Sequence, residues 1–240
     1  SSDGLDFMIP YYQVISDKSD ITIAVRNISD RGAGFEGNVR NLHGESNNLR
    51  NIDLFYFNND KEHRSNYPAE PKSRWAFGIR DTFGKKENIW MTIDWAKTSD
   101  SLVLRDIPGD ITSIGNQRKQ NLKQNIAING VFRNIKIKIS QEGYQTLNPL
   151  LTNGYKKAPS IDIGYFNKFK KISIREHLNI TEFRAENLHG FFGNQLNNNK
   201  FQSYINNPIE GRRIFYDLEI SNSSNLNGYK LTTAMGIKGI

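Results

Sequence analysis

At 240 residues the chain has room for one large β domain or two small ones, and either size buries a core without covalent staples. Aromatic residues make up 11% of it and hydrophobic residues 37%, too much for a disordered segment. Cysteine is absent, which excludes a disulfide framework, a thiolate nucleophile and a cysteine-based metal site.

No run of roughly 18 apolar residues offers a membrane helix. The opening Ser1-Ser2-Asp3-Gly4 reads as a mature or trimmed terminus, before which a signal or lipid anchor could have stood. The net charge of +7 is unevenly spread: residues 1–120 carry 16 Lys+Arg against 17 Asp+Glu, and residues 121–240 carry 16 against 8. A basic half attracts nucleic acid, anionic lipid or an acidic protein, but a solvated basic surface is the simpler reading.

Short runs that alternate β-branched or aromatic with polar residues recur along the chain. In the first half these are Ile21–Arg26, Ile52–Phe57, Trp75–Arg80 and Ile89–Trp95, the last two forming a hairpin about Gly84. A polar stretch over Pro108–Gln124, where the charge balance changes sign, reads as a domain boundary. Eight strand candidates follow: Asn125–Arg133, Asn134–Ser140, Ser160–Lys168, Lys171–Glu176, Thr181–Phe192, Lys200–Tyr204, Arg212–Ser221 and Lys230–Ile240. Asn148–Pro159 reads as a long loop, Asn197–Asn199 as a hairpin turn, and Gln141–Leu151 is the one helix candidate. Eight strands suffice to close a small barrel filled by its own side chains. The fold expected is mainly β: an N-terminal β-rich handle domain over 1–120, then a small eight-stranded antiparallel barrel over 121–240.

Motifs that carry chemistry are few. Gly32-Ala33-Gly34-Phe35-Glu36-Gly37 matches a dinucleotide fingerprint, but no helical period follows it, so it reads as a glycine-rich turn or bulge. Asp53, Asp60 and Glu62 lie close in sequence, as do Asp162 and Glu176, without the order that acid–base chemistry needs. No metalloprotease, P-loop or nucleophile-elbow motif occurs. The expectation is therefore a protein that is not an enzyme and needs no cofactor, with haem the one group considered, since a single histidine can ligate it. Candidate ligand-binding residues are Tyr11, Tyr12, His43, Tyr56, His63 and Trp75, the exposed tyrosines as interface anchors. The stretch from Tyr165 to Lys171 mixes aromatics and cations as a base-stacking surface does. In a barrel strand the same pattern is apolar-in and cation-out, which disfavours nucleic acid.

Three stretches carry a family resemblance. Ser160–Ile172 has an alternating strand with Phe166-Asn167-Lys168-Phe169-Lys170-Lys171 at its turn, Asn187–Asn194 has a glycine–aromatic–glycine strand, and Tyr229–Ile240 has a closing strand with a late glycine and a basic residue. Together they resemble the eight-stranded barrels of bacterial surface lipoproteins and secreted haemophores, the transferrin-binding protein B-like barrels exported by surface lipoprotein assembly modulators. The resemblance implies a protein at the bacterial outer-membrane surface or outside the cell, displayed or secreted. It would bind a host protein or small ligand for host association or haem and iron capture, and its barrel would serve the export machinery. A lipidated cysteine would have preceded Ser1. The alternatives are a jelly-roll or sandwich protein of a virion or assembly, and a basic nucleic-acid-binding protein.

Overall fold

The computed structural model describes residues 4–44, 48–68, 70–85, 88–107, 113–148, 153–185, 210–226 and 229–239. Strand accounts for 74% of these residues. The first six strands are β1 (Asp6–Ser16), β2 (Ser19–Ile28), β3 (Gly32–His43), β4 (Asn48–Phe57), β5 (Arg74–Gly84) and β6 (Ile89–Thr98). The second six are β7 (Asn121–Phe132), β8 (Ile135–Thr146), β9 (Tyr155–Phe169), β10 (Ile172–Ala185), β11 (Gly211–Leu226) and β12 (Tyr229–Gly239). Two short helices, α1 (Lys61–Asn66) and α2 (Val103–Asp106), lie in the connections after β4 and β6.

All twelve strands form one antiparallel sheet in chain order, each hydrogen-bonded to the next. The sheet does not close: among the described residues β1 and β12 are its two edges. Mainly β is thus the architecture found, but the eight-stranded barrel is not. The second half contributes six described strands. The two candidates beginning at Lys171 and Thr181 are one strand, β10, because His177 and Asn179 continue the alternation instead of breaking it. Lys200–Tyr204, the Asn197–Asn199 turn and the end of Thr181–Phe192 lie outside the described residues. Residues of the helix candidate Gln141–Leu151 through Thr146 belong to β8. β6 pairs with β7 from Ile89↔Gly130 to Trp95↔Gln124, so the sheet runs on between the two halves of the chain.

Connections at one end are all short, spanning residues 17–18, 44–47, 85–88, 133–134, 170–171 and 227–228. Those at the other end are 29–31, 58–73, 99–120, 147–154 and 186–210, all but the first of them longer. Arg133 and Lys170 take φ of 52° and 53° in two of the short turns, the left-handed conformation that matches strand twist in two-residue hairpins. The glycine-rich motif is neither turn nor phosphate loop but the start of β3. There Gly34 lets the β4 backbone at Tyr56 and the Phe57 ring approach closer than any Cβ would permit.

One face of the sheet carries the apolar core, packed from the long-loop end. Ile28, Phe55, Phe57 and Ala76 project from β2, β4 and β5 and are covered by Val103, Leu104 and Ile107 of the β6–β7 connection. These three side chains are at most 1% exposed. Burial at that level is worth about 1.5–3 kcal/mol per side chain, so the connection is held on the sheet rather than projecting from it.

Candidate functional site

The two faces of the sheet differ in chemistry, in a sense opposite to a soluble barrel. Successive strand residues point to opposite sides, and registers assign each side across the sheet. On the face away from the core, β2 presents Ile21, Ile23 and Val25, β8 presents Ile135, Ile137 and Ile139, and β9 presents Ile161 and Ile163. Many of these are open to the surroundings, among them Val25 (60% exposed), Ile128 (50%) and Ile214 (52%). Soluble monomers rarely gather so many exposed apolar side chains on one face. The packed face is lined instead by Thr22, Asn38, Asn51, Thr92, Asn125 and Ser140 in its central rows. The expected apolar-in, cation-out arrangement is therefore reversed.

Aromatic side chains bound the apolar band. Phe35, Tyr56 and Trp75 are direct cross-strand neighbours on the outer face near the long-loop end. Phe83, Phe132 and Phe169 sit on the same face near the short turns. From Trp75 to Phe83 the strand rises about 27 Å, at ~3.4 Å per residue. A lipid-facing barrel surface has an apolar band about 25 Å tall between aromatic girdles, with short turns on one side and longer loops on the other.

The packed face holds a recess of 520 Å³ across β8 to β11. Its floor is polar and buried: Ser140, Ser160, Asn179 and Thr181 are 8%, 6%, 9% and 1% exposed. Ser160 Oγ and Thr181 Oγ1 lie 2.8 Å apart, Thr181 Oγ1 donates to Asn179 Oδ1 at 2.9 Å, and Asn179 Nδ2 donates to Asp162 Oδ1 at 2.8 Å. The His177 ring completes the row 3.4 Å from Asp162 Oδ1. A neighbouring recess of 480 Å³ shares Lys138 and Asp162 and adds Trp90, Asn129 and Lys136.

Charge concentrates where the long connections meet the packed face. Arg74, with a fully buried side chain, bonds Asp60 at 2.9 Å, Asp100 at 2.8 Å and Asp106 at 3.0 Å. Arg31 reaches Asp60 at 3.1 Å and Glu62 at 2.9 Å. Asp60 also caps α1 by accepting from the His63 backbone N–H at 3.0 Å. Burial pushes the Asp60 and Asp100 carboxyls up, but it is outweighed. The His63 N–H and the Arg74 and Arg31 guanidiniums hold Asp60 below its ordinary value, and Arg74 and Ser99 hold Asp100 there. Burial and then Arg74 press the His63 imidazole down, favouring its neutral form. Sequence reasoning missed Arg74, since nothing in Ser73-Arg74-Trp75 marks a buried arginine.

The ligand-binding candidates occupy separate places. Tyr56 and Trp75 come together on the outer face, with Tyr56 5.7 Å from Phe35. Tyr11 and Tyr12 lie on opposite sides of the edge strand β1, 61% and 54% exposed. His43 stands on the outer face near the short turns, 2.5 Å from Asp81, whose other oxygen accepts from Arg50 at 2.6 Å. His63 is buried in α1, with its ring 5.1 Å from Tyr67. Among the described residues no group of three or more His, Cys, Asp or Glu is placed to hold a metal ion, and no helix is long and apolar enough to cross a membrane. Of the recess residues, sequence reasoning noted Asp162 only as an acid without a catalytic partner and did not group it with the others. Their signal was a polar residue at alternate positions of apolar strands, as in Ile161-Asp162-Ile163 and Leu178-Asn179-Ile180.

No family model matches the chain. Among curated proteins it is similar to the LPS-assembly protein LptD of Pseudomonas aeruginosa, at 24% identity over 76% of this chain and 19% of that protein. The protein of the same name from Saccharophagus degradans is 28% identical over 68% of this chain and 21% of its own length. That of Neisseria gonorrhoeae is 29% identical over 66% and 19%. The chain spans about a fifth of the length of these relatives. They overturn the resemblance to transferrin-binding protein B-like lipoproteins and haemophores, together with host association, haem or iron capture and a host-protein partner. The motifs quoted for that resemblance, an alternating strand, a turn and a late glycine, recur wherever antiparallel strands are joined by tight turns, so they do not discriminate between barrel families.

Proposed function

We propose that this chain is a membrane-crossing wall of an outer-membrane β-barrel that works in lipopolysaccharide assembly. Its outer face meets lipid and its packed face lines a water-filled interior. The observation that carries the reading is the inversion of the sheet, apolar on the open face and polar on the face that holds the core. Aromatic rows at both margins of the apolar band and the segregation of short and long connections agree with it. Strands of 10–16 residues are long enough to cross a bilayer at a tilt. The similarity to the LPS-assembly proteins supplies the biological direction. Among the described residues β1 and β12 have no strand on their outer edges, which fits further strands of a wider barrel. Its work would be passage and positioning, with neither catalysis nor a cofactor.

Because the chain has no cysteine, single labels test this directly. Ile128→Cys and Asn129→Cys place a fluorophore on the outer and packed faces of adjacent residues in β7. After insertion into vesicles, lipid-borne bromine is expected to quench the label at 128 and spare that at 129. Equal quenching at both positions overturns the proposal.

A further inference from the structure

We infer that the recess across β8 to β11 is a subsite for a phosphorylated sugar. This rests on the reading of the packed face as a water-lined interior. Four features select the ligand class. The floor of hydroxyl and amide groups is buried yet internally hydrogen-bonded, so it is a preformed polar surface and not a gap in an apolar core. Phe215, on the wall of the recess, and Trp90, in the adjoining one, offer flat apolar surfaces of the kind that pack against sugar rings. The acids are committed: Asp162 accepts from Asn179, and Glu142 accepts from Lys157 at 2.9 Å.

The cations supply the fourth feature. Lys138 on β8 and Arg213 on β11 flank the floor, and neither has a carboxylate partner among the described residues; Arg213 lies 5.4 Å over the Phe183 ring. Three strand spacings of about 4.8 Å and a two-residue offset along the strands, since Arg213 is in register with Ser140, set their backbones ~16 Å apart, and two long side chains close that to the width of one phosphorylated ring. Arg213 suits such a group because its planar fork matches phosphate oxygens, with Lys138 as a point charge opposite. The volume of 520 Å³ falls within the range of small-ligand sites, roughly 300–1,000 Å³. The adjoining recess, with Lys136, extends the track for a second ring, and the position of a Cβ on Gly164 there faces open space.

The test is calorimetric titration of the whole chain in detergent micelles. The probe is the lipid-free phosphorylated core oligosaccharide of lipopolysaccharide, compared with its dephosphorylated form and with inorganic phosphate. Binding to the phosphorylated probe is expected to weaken at least tenfold on dephosphorylation and in the Lys138→Gln/Arg213→Gln double variant. Gly164→Leu, which changes no charge and fills the track, is expected to weaken it comparably with strand circular dichroism unchanged. Undiminished binding by the double variant and by Gly164→Leu overturns the inference. So does equal affinity for the dephosphorylated probe, or inorganic phosphate matching the oligosaccharide. The bromine-quenching alternation at 128 and 129 is read separately. If it holds while the titration is silent, the sugar site alone falls; if it fails while the titration succeeds, the membrane reading alone falls.

Discussion

Arg74 Nη1 and Asp60 Oδ2 meet at 2.9 Å with both side chains wholly buried, which ties the start of β5 to the cap of α1. The same guanidinium bonds Asp100 and Asp106, so one side chain anchors both the 58–73 and the 99–120 connections. A charge so buried is tolerated only because its donors are matched by acceptors. Arg74→Met leaves three carboxylates without their shared cation and is expected to destabilise the fold by about 3–5 kcal/mol. Urea unfolding followed by tryptophan fluorescence measures this. A loss below about 1 kcal/mol would mean the network is ornamental.

Acidification is expected to release these connections in two stages. The imidazole of His63 is depressed in the folded chain, so its contribution is complete above the ordinary value of 6.5 and lost as pH falls below it toward the folded value. Asp60 and Asp100 are also depressed, so their contribution is complete above 3.8 and lost as pH falls below that. Protease cleavage within 99–120 is expected to increase first as pH falls below 6.5, and again as it falls below 3.8. His63→Gln is expected to abolish the first rise and keep the second.

If the outer face meets lipid as proposed, depth in the bilayer governs the cost of charge there. Ile79 lies midway between Trp75 and Phe83 on that face. Ile79→Arg is expected to cost about 2–4 kcal/mol in vesicle-inserted protein, as for cations at the midplane. Thr92→Arg, on the packed face of β6, is expected to cost less than about 1 kcal/mol, since water solvates it there. Folding titrations in lipid vesicles compare the two, and equal costs would argue against the face assignment.

Gly34 has no room for a side chain. A methyl there would collide with the Phe57 ring and the Tyr56 carbonyl oxygen, and the backbone is the part that cannot yield. Gly34→Ala is expected to destabilise by about 1–3 kcal/mol, the usual range for overpacking. Gly37→Ala, three residues on with nothing within 4 Å of the added carbon, serves as the control.

Strand positions were legible wherever alternation was regular, as in Ile21–Arg26 and the β5–β6 hairpin about Gly84. Which face is turned inward was not. A period of two says that the sides differ, and the solvent decides which is hidden; Ile161-Asp162-Ile163 reads the same in water and in lipid. His177 and Asn179 looked like a gap between strands because polar residues at a presumed core position suggest a turn. Arg74 and the acids it gathers come from distant positions that only the folded connections bring together. The recess is spread over four strands, so no contiguous motif announces it.

The alternation that builds two faces has a consequence for how such a chain reaches its destination. Its mean hydropathy is −0.62, although each strand carries a greasy side. Before folding, the apolar residues stand in short runs interrupted by polar ones, so the unfolded thread is hydrophilic on average. Machinery that halts or inserts polypeptides by sensing uninterrupted apolar stretches meets nothing to seize. On the proposed reading, affinity for lipid arises only once the strands pair side by side and gather their apolar residues on one face.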